Sequence, residues 1–169
     1  MTETNFLQAI TDRLAIEDLI VRYAEATDSL DADGYVSVFA DDAEIALPNG
    51  AVLAAGREQI AAVARTNTTR FSLSGSNHSV MRHVVTNLRL RVGNDEAEGR
   101  YYVMTLAHDA GAKKPELLGF GRYEDRFVRH EGQWRVARRV MHYDWGNDGL
   151  AQQLRVGPYT PPEYRQRPT

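Results

Sequence analysis

Four long segments of alternating side chains in the second half of the chain constrain the fold more than any other feature. They span residues 80–92, 97–108, 117–128 and 134–143. The turns Gly93-Asn94-Asp95 and Glu131-Gly132 separate neighbouring segments, which is typical of antiparallel strands joined by hairpins. Strands of this length usually bend. The pattern therefore predicts a strongly curved, mostly antiparallel sheet with a concave face that other elements must cover.

The first half of the chain supplies three helical segments that suit this purpose. In residues 5–28, apolar side chains recur every three or four positions and form one stripe. A short helix capped by Asp31 is predicted to end at Phe39, and a third helix covers residues 56–67, with a strand at residues 43–47 between them. The order predicts an α+β fold. We expect a cone-shaped α+β barrel, with three N-terminal helices packed on the sheet and enclosing a pocket for a small molecule.

Composition narrows the class of partner. A net charge of −3 argues against nucleic acid or an anionic membrane surface as the main partner. The chain has no cysteine, no leader-like pattern at its start and no long apolar run, so we expect a cytoplasmic protein without disulfides. Its length predicts one domain over residues 1–146. Residues 147–169 are predicted to be a proline-rich tail that caps the pocket or crosses to a neighbouring subunit.

Familiar motifs of three enzyme classes are missing. The chain has no HExxH motif, and the spacing of His78 and His83 does not suit ligands on one helix face. Gly119-Phe120-Gly121 precedes a strand pattern rather than a helix, and no serine stands in a G-x-S-x-G turn. We therefore expect neither a metal nor an organic cofactor, and hydride transfer and serine-type acyl transfer are disfavoured.

Acid–base chemistry remains, and Asp28 is its starting point. An acid near the end of a core-facing helix needs a partner, and the histidines are the natural candidates. His130 lies at a hairpin turn and is expected to be solvated, whereas His83, early in a strand, is either a structural core residue or a catalytic one. A histidine held by a carboxylate removes a proton next to a carbonyl, and a phenol stabilises the resulting oxyanion. The other candidates for these roles are Tyr23, His108, Tyr101, Tyr102 and Tyr123.

Several short motifs in combination resemble the SnoaL-like, scytalone dehydratase-like branch of the nuclear-transport-factor-2-like superfamily. The resemblance covers roughly residues 15–146. It is carried by the first helix ending in Asp28, by Phe39-Ala40-Asp41-Asp42-Ala43-Glu44, Arg82-His83, Gly132-Gln133-Trp134-Arg135 and Asp144-Trp145-Gly146.

The resemblance implies roles for particular residues. Asp28 and His83 correspond to a catalytic aspartate–histidine pair, Tyr23 to a tyrosine of the bile-acid dehydratase, and His108 to a second active-site histidine of scytalone dehydratase. Candidates for contacting the substrate are Tyr101, Tyr123, Arg122 and Trp145. Arg122 fits a structural salt bridge equally well. Thr27 stands where scytalone dehydratase has a tyrosine, which argues against scytalone itself as the substrate.

The function that the resemblance implies is a cofactor-independent lyase. It would eliminate water or a similar group from a small cyclic or polycyclic, mostly apolar substrate. Three alternatives stay open: an isomerase, a polyketide cyclase, and a non-catalytic ligand-binding or oxygenase small-subunit-like protein in which Asp28 and His83 form a structural ion pair. The resemblance also implies a homo-dimer or homo-trimer formed through the sheet face.

Overall fold

Three helices and six strands make up residues 3–72, 80–108 and 114–146, which the computed structural model describes. In chain order they are α1 (Glu3–Asp28), α2 (Ala32–Ser37), β1 (Phe39–Ala46), β2 (Val52–Ala55), α3 (Gly56–Ser72), β3 (Val80–Val92), β4 (Glu96–His108), β5 (Glu116–His130) and β6 (Gln133–Gly146). The predicted α+β architecture, with the helices N-terminal to the long strands, is confirmed. None of the described helices is long and apolar enough to cross a bilayer.

One sheet contains all six strands in the order β2-β1-β6-β5-β4-β3. Neighbours are antiparallel except β1 and β6, which are parallel. The β5–β6 hairpin turns through Glu131 and Gly132, whose φ angles of 49° and 74° match the twist of the flanking strands. The pairing register shifts within β3–β4, β4–β5 and β5–β6, and such bulges bend a sheet. These shifts account for the predicted curvature.

Strands β1 and β2 differ from the sequence predictions, and tertiary pairing explains both differences. Phe39 does not end the short helix but begins β1, because the Val38 carbonyl accepts a hydrogen bond from the Val136 amide at 2.9 Å and so leads the chain onto β6. Strand β2 was not predicted. It has only four residues and forms by pairing with β1.

The core lies between the helices and one face of the sheet. From α1 it takes the fully buried Ile16 and Leu19, and from the sheet Phe127 and Val136. Burying each such side chain contributes about 1.5–3 kcal/mol. Because side chains alternate along a strand, the opposite face of the long strands points away from the helices, and we call it the outer face.

A buried carboxylate fastens α1 to the β5–β6 hairpin. The Asp12 carboxylate accepts hydrogen bonds from Arg129 Nη2 at 2.6 Å and from Trp134 Nε1 at 3.1 Å. The Arg129 guanidinium also lies 4.6 Å from the Trp134 ring centroid. The hydrogen bond from Arg129 lowers the pKa of Asp12 below its usual value and outweighs the opposing effect of burial. The contact holds the N-terminal half of α1 in place.

We expect Asp12→Asn to lower the free energy of unfolding at pH 7 by about 1–3 kcal/mol, because Arg129 loses its ionised partner. Since the pKa of Asp12 is depressed, this stabilisation is present above the ordinary value of 3.8 and is lost as the pH falls through the lower folded-state pKa. Urea titrations between pH 7 and pH 3 measure the effect. The control is Asp18→Asn, which breaks an exposed pair with Arg22 and should cost less than about 1 kcal/mol. Equal losses in the two variants would contradict the assignment.

Candidate active site

The end of α1 and the beginning of β3 meet at Asp28 and His83. His83 Nδ1 lies 2.7 Å from Asp28 Oδ1, and the backbone N–H of His83 donates to both carboxylate oxygens at 3.0 Å. The side chain of Asp28 is 13% exposed and that of His83 is 9% exposed. One carboxylate therefore contacts both the ring and the backbone of the same histidine, which fixes the orientation of the imidazole.

Electrostatics explain why Asp28 needs this partner. It is the last residue of α1, where the carbonyl ends of the helix make a negative charge unfavourable. The N–H groups of His83 offset that effect. An ionised carboxylate only accepts hydrogen bonds, so the tautomer of a neutral imidazole that suits this contact has its proton on Nδ1 and a lone pair on Nε2. The arrangement can supply an oriented base.

Tyr23 lies beside this pair at the centre of an aromatic group. Its ring centroid is 6.5 Å from that of His83, with the rings nearly edge to face. The rings of Tyr35, Phe39 and Tyr123 lie 5.3, 6.1 and 6.2 Å away. Tyr23 is itself buried. The neighbourhood of the pair is thus made largely of aromatic rings.

A fully buried cation, Arg139, stands behind Tyr23. Its guanidinium carbon is 3.9 Å from the Tyr23 ring centroid. Arg139 Nε and Nη2 donate to Asp125 at 2.9 and 2.7 Å, and Nη2 also donates to the Tyr101 hydroxyl at 2.7 Å. Among the described residues, Arg139 Nη1 is buried without a hydrogen-bond acceptor. The interior therefore holds a positive charge that Asp125 compensates, and the Nη1 donor of that guanidinium has no acceptor among the described residues.

Arg139 and Asp125 were not identified from the sequence. Asp125 alternates with Tyr123 and Phe127 on one face of β5, so an acid flanked by aromatic residues is a signal that was available. Arg139 gives no such signal. Val136 pairs with Phe127 but Arg138 pairs with Arg126, so a bulge within β6 turns Arg139 inward where strict alternation predicts Arg138.

Burial raises the pKa of four tyrosines around this cation well above their usual value. They are Tyr35, Tyr101, Tyr123 and Tyr143. The positive charge of Arg139 acts in the opposite direction on each of them but is outweighed. At neutral pH these phenols are protonated, so the interior offers hydroxyl groups rather than phenolates.

The other predicted substrate contacts are divided between the two faces of the sheet. Tyr101 and Tyr123 are buried on the same side as Tyr23. Arg122 lies on the outer face, where it donates to Glu124 at 3.3 Å and lies 3.1 Å from His142 Nδ1. The alternative of a structural salt bridge therefore describes Arg122 better than a contact near Asp28 and His83.

Trp145 also lies away from Asp28 and His83. Its ring stacks on Phe120, with centroids 6.2 Å apart, and its side chain is exposed on the outer face. Cross-strand pairing with Phe120 accounts for this position.

Some predicted residues fall outside what the structure describes. The backbone of His108 pairs with Val80 at the end of β4, but its side chain is not described, so its catalytic role stays a prediction. His78 and residues 147–169 also lie outside the described residues. His130 has a 74% exposed side chain at the hairpin turn. Within the described ranges, no cluster of three or more histidine, aspartate or glutamate side chains is placed to hold a metal ion.

The buried tyrosines make alkaline pH destabilising. Because their folded-state pKa values lie above the ordinary 10.0, the unfolded chain loses protons first, and stability falls as the pH rises above that value. We expect tyrosinate absorbance from these four residues to appear together with loss of helical circular dichroism in a pH titration. Smooth ionisation of all tyrosines in the folded state would contradict this account.

Sequence comparison identifies relatives over most of the chain. The family model of the SnoaL-like domain matches residues 8–140. An uncharacterized protein of Mycobacterium tuberculosis, Rv2910c, is 32% identical over 133 residues, which are 78% of this chain and 84% of that protein.

Solved structures show the same fold. A substituted form of Rv3472, a Mycobacterium tuberculosis protein of unknown function, superposes with a TM-score of 0.67 at 26% identity, covering 85% of this chain and 77% of that one. A candidate scytalone dehydratase of Novosphingobium aromaticivorans superposes with a TM-score of 0.68 at 24% identity, covering 88% and 91%. At that identity the second likeness speaks for the fold alone.

Proposed function

The chain belongs to the SnoaL-like domain family, and on that premise we propose that it is a cofactor-independent lyase of the dehydratase type. The observation that carries the proposal is the contact between Asp28 and His83, at 2.7 Å, beside the aromatic group around Tyr23. A carboxylate that orients a neutral imidazole leaves Nε2 free to take a proton.

In the proposed reaction, His83 Nε2 removes a proton from the carbon next to a substrate carbonyl. The electron pair moves towards the carbonyl oxygen, which gains negative charge. The electrons then return to form a carbon–carbon double bond, the bond to the hydroxyl on the next carbon breaks, and the imidazolium supplies the proton that makes the leaving group water. Asp28 stabilises the imidazolium that exists after the proton is removed and before it is given to the leaving group. No redox partner is needed.

Tyr23 is proposed to donate a hydrogen bond to the carbonyl oxygen. The Arg139 guanidinium, 3.9 Å from the Tyr23 ring centroid, favours negative charge that develops nearby. The unused Nη1–H of Arg139 supports the same role, because a buried donor gains most from an anionic acceptor. His108 is proposed as a second polarising group on the strength of the family resemblance alone.

The aromatic side chains suggest the substrate class. Rings of Tyr23, Tyr35, Phe39 and Tyr123 favour a flat, cyclic and mostly apolar molecule, which edge-to-face and stacked contacts hold well. An isomerase or polyketide cyclase begins with the same proton abstraction, so these two functions remain alternatives that use the same Asp28 and His83.

We expect His83→Gln and Asp28→Asn to lower kcat for dehydration by about 10²–10⁴-fold, because the base and its orienting partner are lost. Tyr23→Phe should lower kcat by about 10²–10³-fold through loss of an oxyanion donor. The measurement is enone absorbance with a panel of cyclic β-hydroxy ketones. The matched control is His142→Gln, since His142 is also buried but lies on the outer face, and it should keep wild-type kcat.

Exchange of the substrate's α-proton for solvent deuterium, followed by NMR, separates the alternatives. A lyase, an isomerase and a cyclase should all show exchange that depends on His83. Saturable binding without any exchange, or near-wild-type turnover in both His83→Gln and Asp28→Asn, would contradict catalysis by this pair and favour the non-catalytic binding protein.

The outer face offers a surface for the proposed homo-dimer or homo-trimer. Val84, Met104, Phe120 and Trp145 pair across four neighbouring strands and form one apolar row. They are 37%, 38%, 41% and 43% exposed. A contiguous apolar patch of this kind is typical of an interface between subunits. A non-catalytic subunit would use the same surface.

We expect Phe120→Glu to convert the oligomer to a monomer of 19.0 kDa, because a charge in the middle of the apolar row is desolvated on association. Light scattering after size exclusion measures the mass. Val21→Glu, an equally drastic change of an exposed residue on α1, should leave the mass unchanged. A monomeric wild type, or an equal effect of both changes, would contradict assembly through this row.

A further inference from the structure

A groove of about 670 Å³ on the outer face is lined by ten residues, of which five are arginines. It lies towards the other end of the strands from the apolar row, so that on β4 it involves Glu98 and Arg100 rather than Met104. The charged side chains that line it on the outer face are Arg89, Arg91, Arg100, Arg126, Arg138, Glu98 and Glu124. The groove thus has five arginines and two glutamates on the outer face, in a chain with a net charge of −3.

Three of these arginines have no ion-pair partner among the described residues, namely Arg89, Arg91 and Arg100. The other two arginines pair with glutamates that do not line the groove. Arg126 lies 3.6 Å from Glu96, and Arg138 lies 3.4 Å from Glu44. Glu124, the acid nearest to the middle of the groove, pairs instead with Arg122 and His142. Glu98 is the lining acid that stands against these three arginines, so the groove keeps a net positive charge.

The strand register makes part of this arrangement costly. Glu98 lies directly opposite Arg91 and Arg126, and Glu124 lies opposite Arg100, but Arg89 is the direct cross-strand partner of Arg100, and Arg126 is that of Arg138. Like charges placed directly opposite each other destabilise a sheet. Arg89 lies on the edge strand β3, so no further strand beyond it supplies a carboxylate. A negatively charged ligand would turn this repulsion into attraction.

We propose that the arginine groove binds a small molecule carrying an oligophosphate group. Its volume lies within the range of about 300–1,000 Å³ that is usual for small-molecule sites. Guanidinium groups pair with phosphate through two parallel hydrogen bonds, and one phosphate presents several oxygens to several arginines. This site is separate from Asp28 and His83.

The spacing of the arginines favours more than one phosphate. Arg89, Arg91 and Arg100 start from positions about 5–7 Å apart on β3 and β4, close enough to surround a single phosphate. Arg126, on β5, begins about 10 Å from β3, two strand spacings away. A linear chain of two or three phosphates spans that distance, whereas a single phosphate does not.

The test is calorimetric titration of the full chain with inorganic tripolyphosphate at low salt. We expect one saturable site per chain, with affinity about tenfold weaker in Arg89→Gln, a loss equivalent to one charge-assisted contact. Arg22→Gln removes the same charge from α1 and should change the affinity less than about twofold, since it lies far from the groove and acts only through screened charge.

Thermal unfolding supplies a second readout. Without ligand, Arg89→Gln should melt at or above the wild-type temperature, because it removes a like-charged neighbour of Arg100. With saturating tripolyphosphate the order should reverse, because the wild type gains more from binding. A merely structural role for Arg89 predicts no such reversal.

Several outcomes would overturn the proposal. They are the absence of saturable binding, an equal loss of affinity in Arg22→Gln, tighter binding of citrate than of tripolyphosphate, and tighter binding of a single-stranded oligonucleotide. Loss of oligomer mass in Arg89→Gln without phosphate binding would instead identify the groove as a contact between copies. Arg89→Gln should keep wild-type dehydration activity, so failure here is distinguishable from failure of the proposed function.

Discussion

The contact between Asp28 and His83 is the interaction on which the candidate active site depends. It links the last residue of α1 to the edge strand β3 across 55 positions of sequence. A carboxylate at a helix C-terminus is unfavourable on its own, and a histidine on an edge strand is free to turn. The N–H groups of His83 offset the unfavourable charge of Asp28, and the Asp28 carboxylate fixes the orientation of the His83 ring. The hydrogen bonds that hold the end of α1 against β3 leave Nε2 of a neutral His83 imidazole with its lone pair. The proposed reaction depends on that lone pair.

Behind this pair the interior is polar, and stability alone does not account for it. Arg139 and Asp125 are fully buried together, and such pairs rarely stabilise a fold more than apolar residues of the same volume would. Here the ion pair is surrounded by aromatic rings, with the guanidinium stacked on Tyr23 and Tyr123. In the proposed reaction, the Nη1–H of Arg139, which has no acceptor among the described residues, favours an anionic intermediate formed near Tyr23. The cost of burying charge is understandable if the interior serves chemistry.

Much of the fold was predictable, and the reasons for success and failure are local. Alternation located the four long strands to within a few residues, because each has one face on the core. Asp28 was singled out as an acid near the end of an apolar stripe, and the resemblance to a family suggested His83 as its partner. Arg139 was out of reach, since an unmarked bulge in β6 changes which residues face inward. The structure places Arg122 and Trp145 on the outer face, away from Asp28 and His83, and the sequence did not indicate this because the face that a strand residue occupies depends on register and not on residue type.

The tautomer of His83 tests the central claim most directly. In uniformly ¹⁵N-labelled protein at neutral pH, long-range ¹⁵N–¹H spectra of the imidazole rings distinguish a protonated nitrogen from a bare one. The account predicts that His83 carries its proton on Nδ1 and that Nε2 is bare, and that Asp28→Asn disturbs this state. A proton on Nε2 in the wild type, or a His83 spectrum unchanged by Asp28→Asn, would contradict an aspartate-held base.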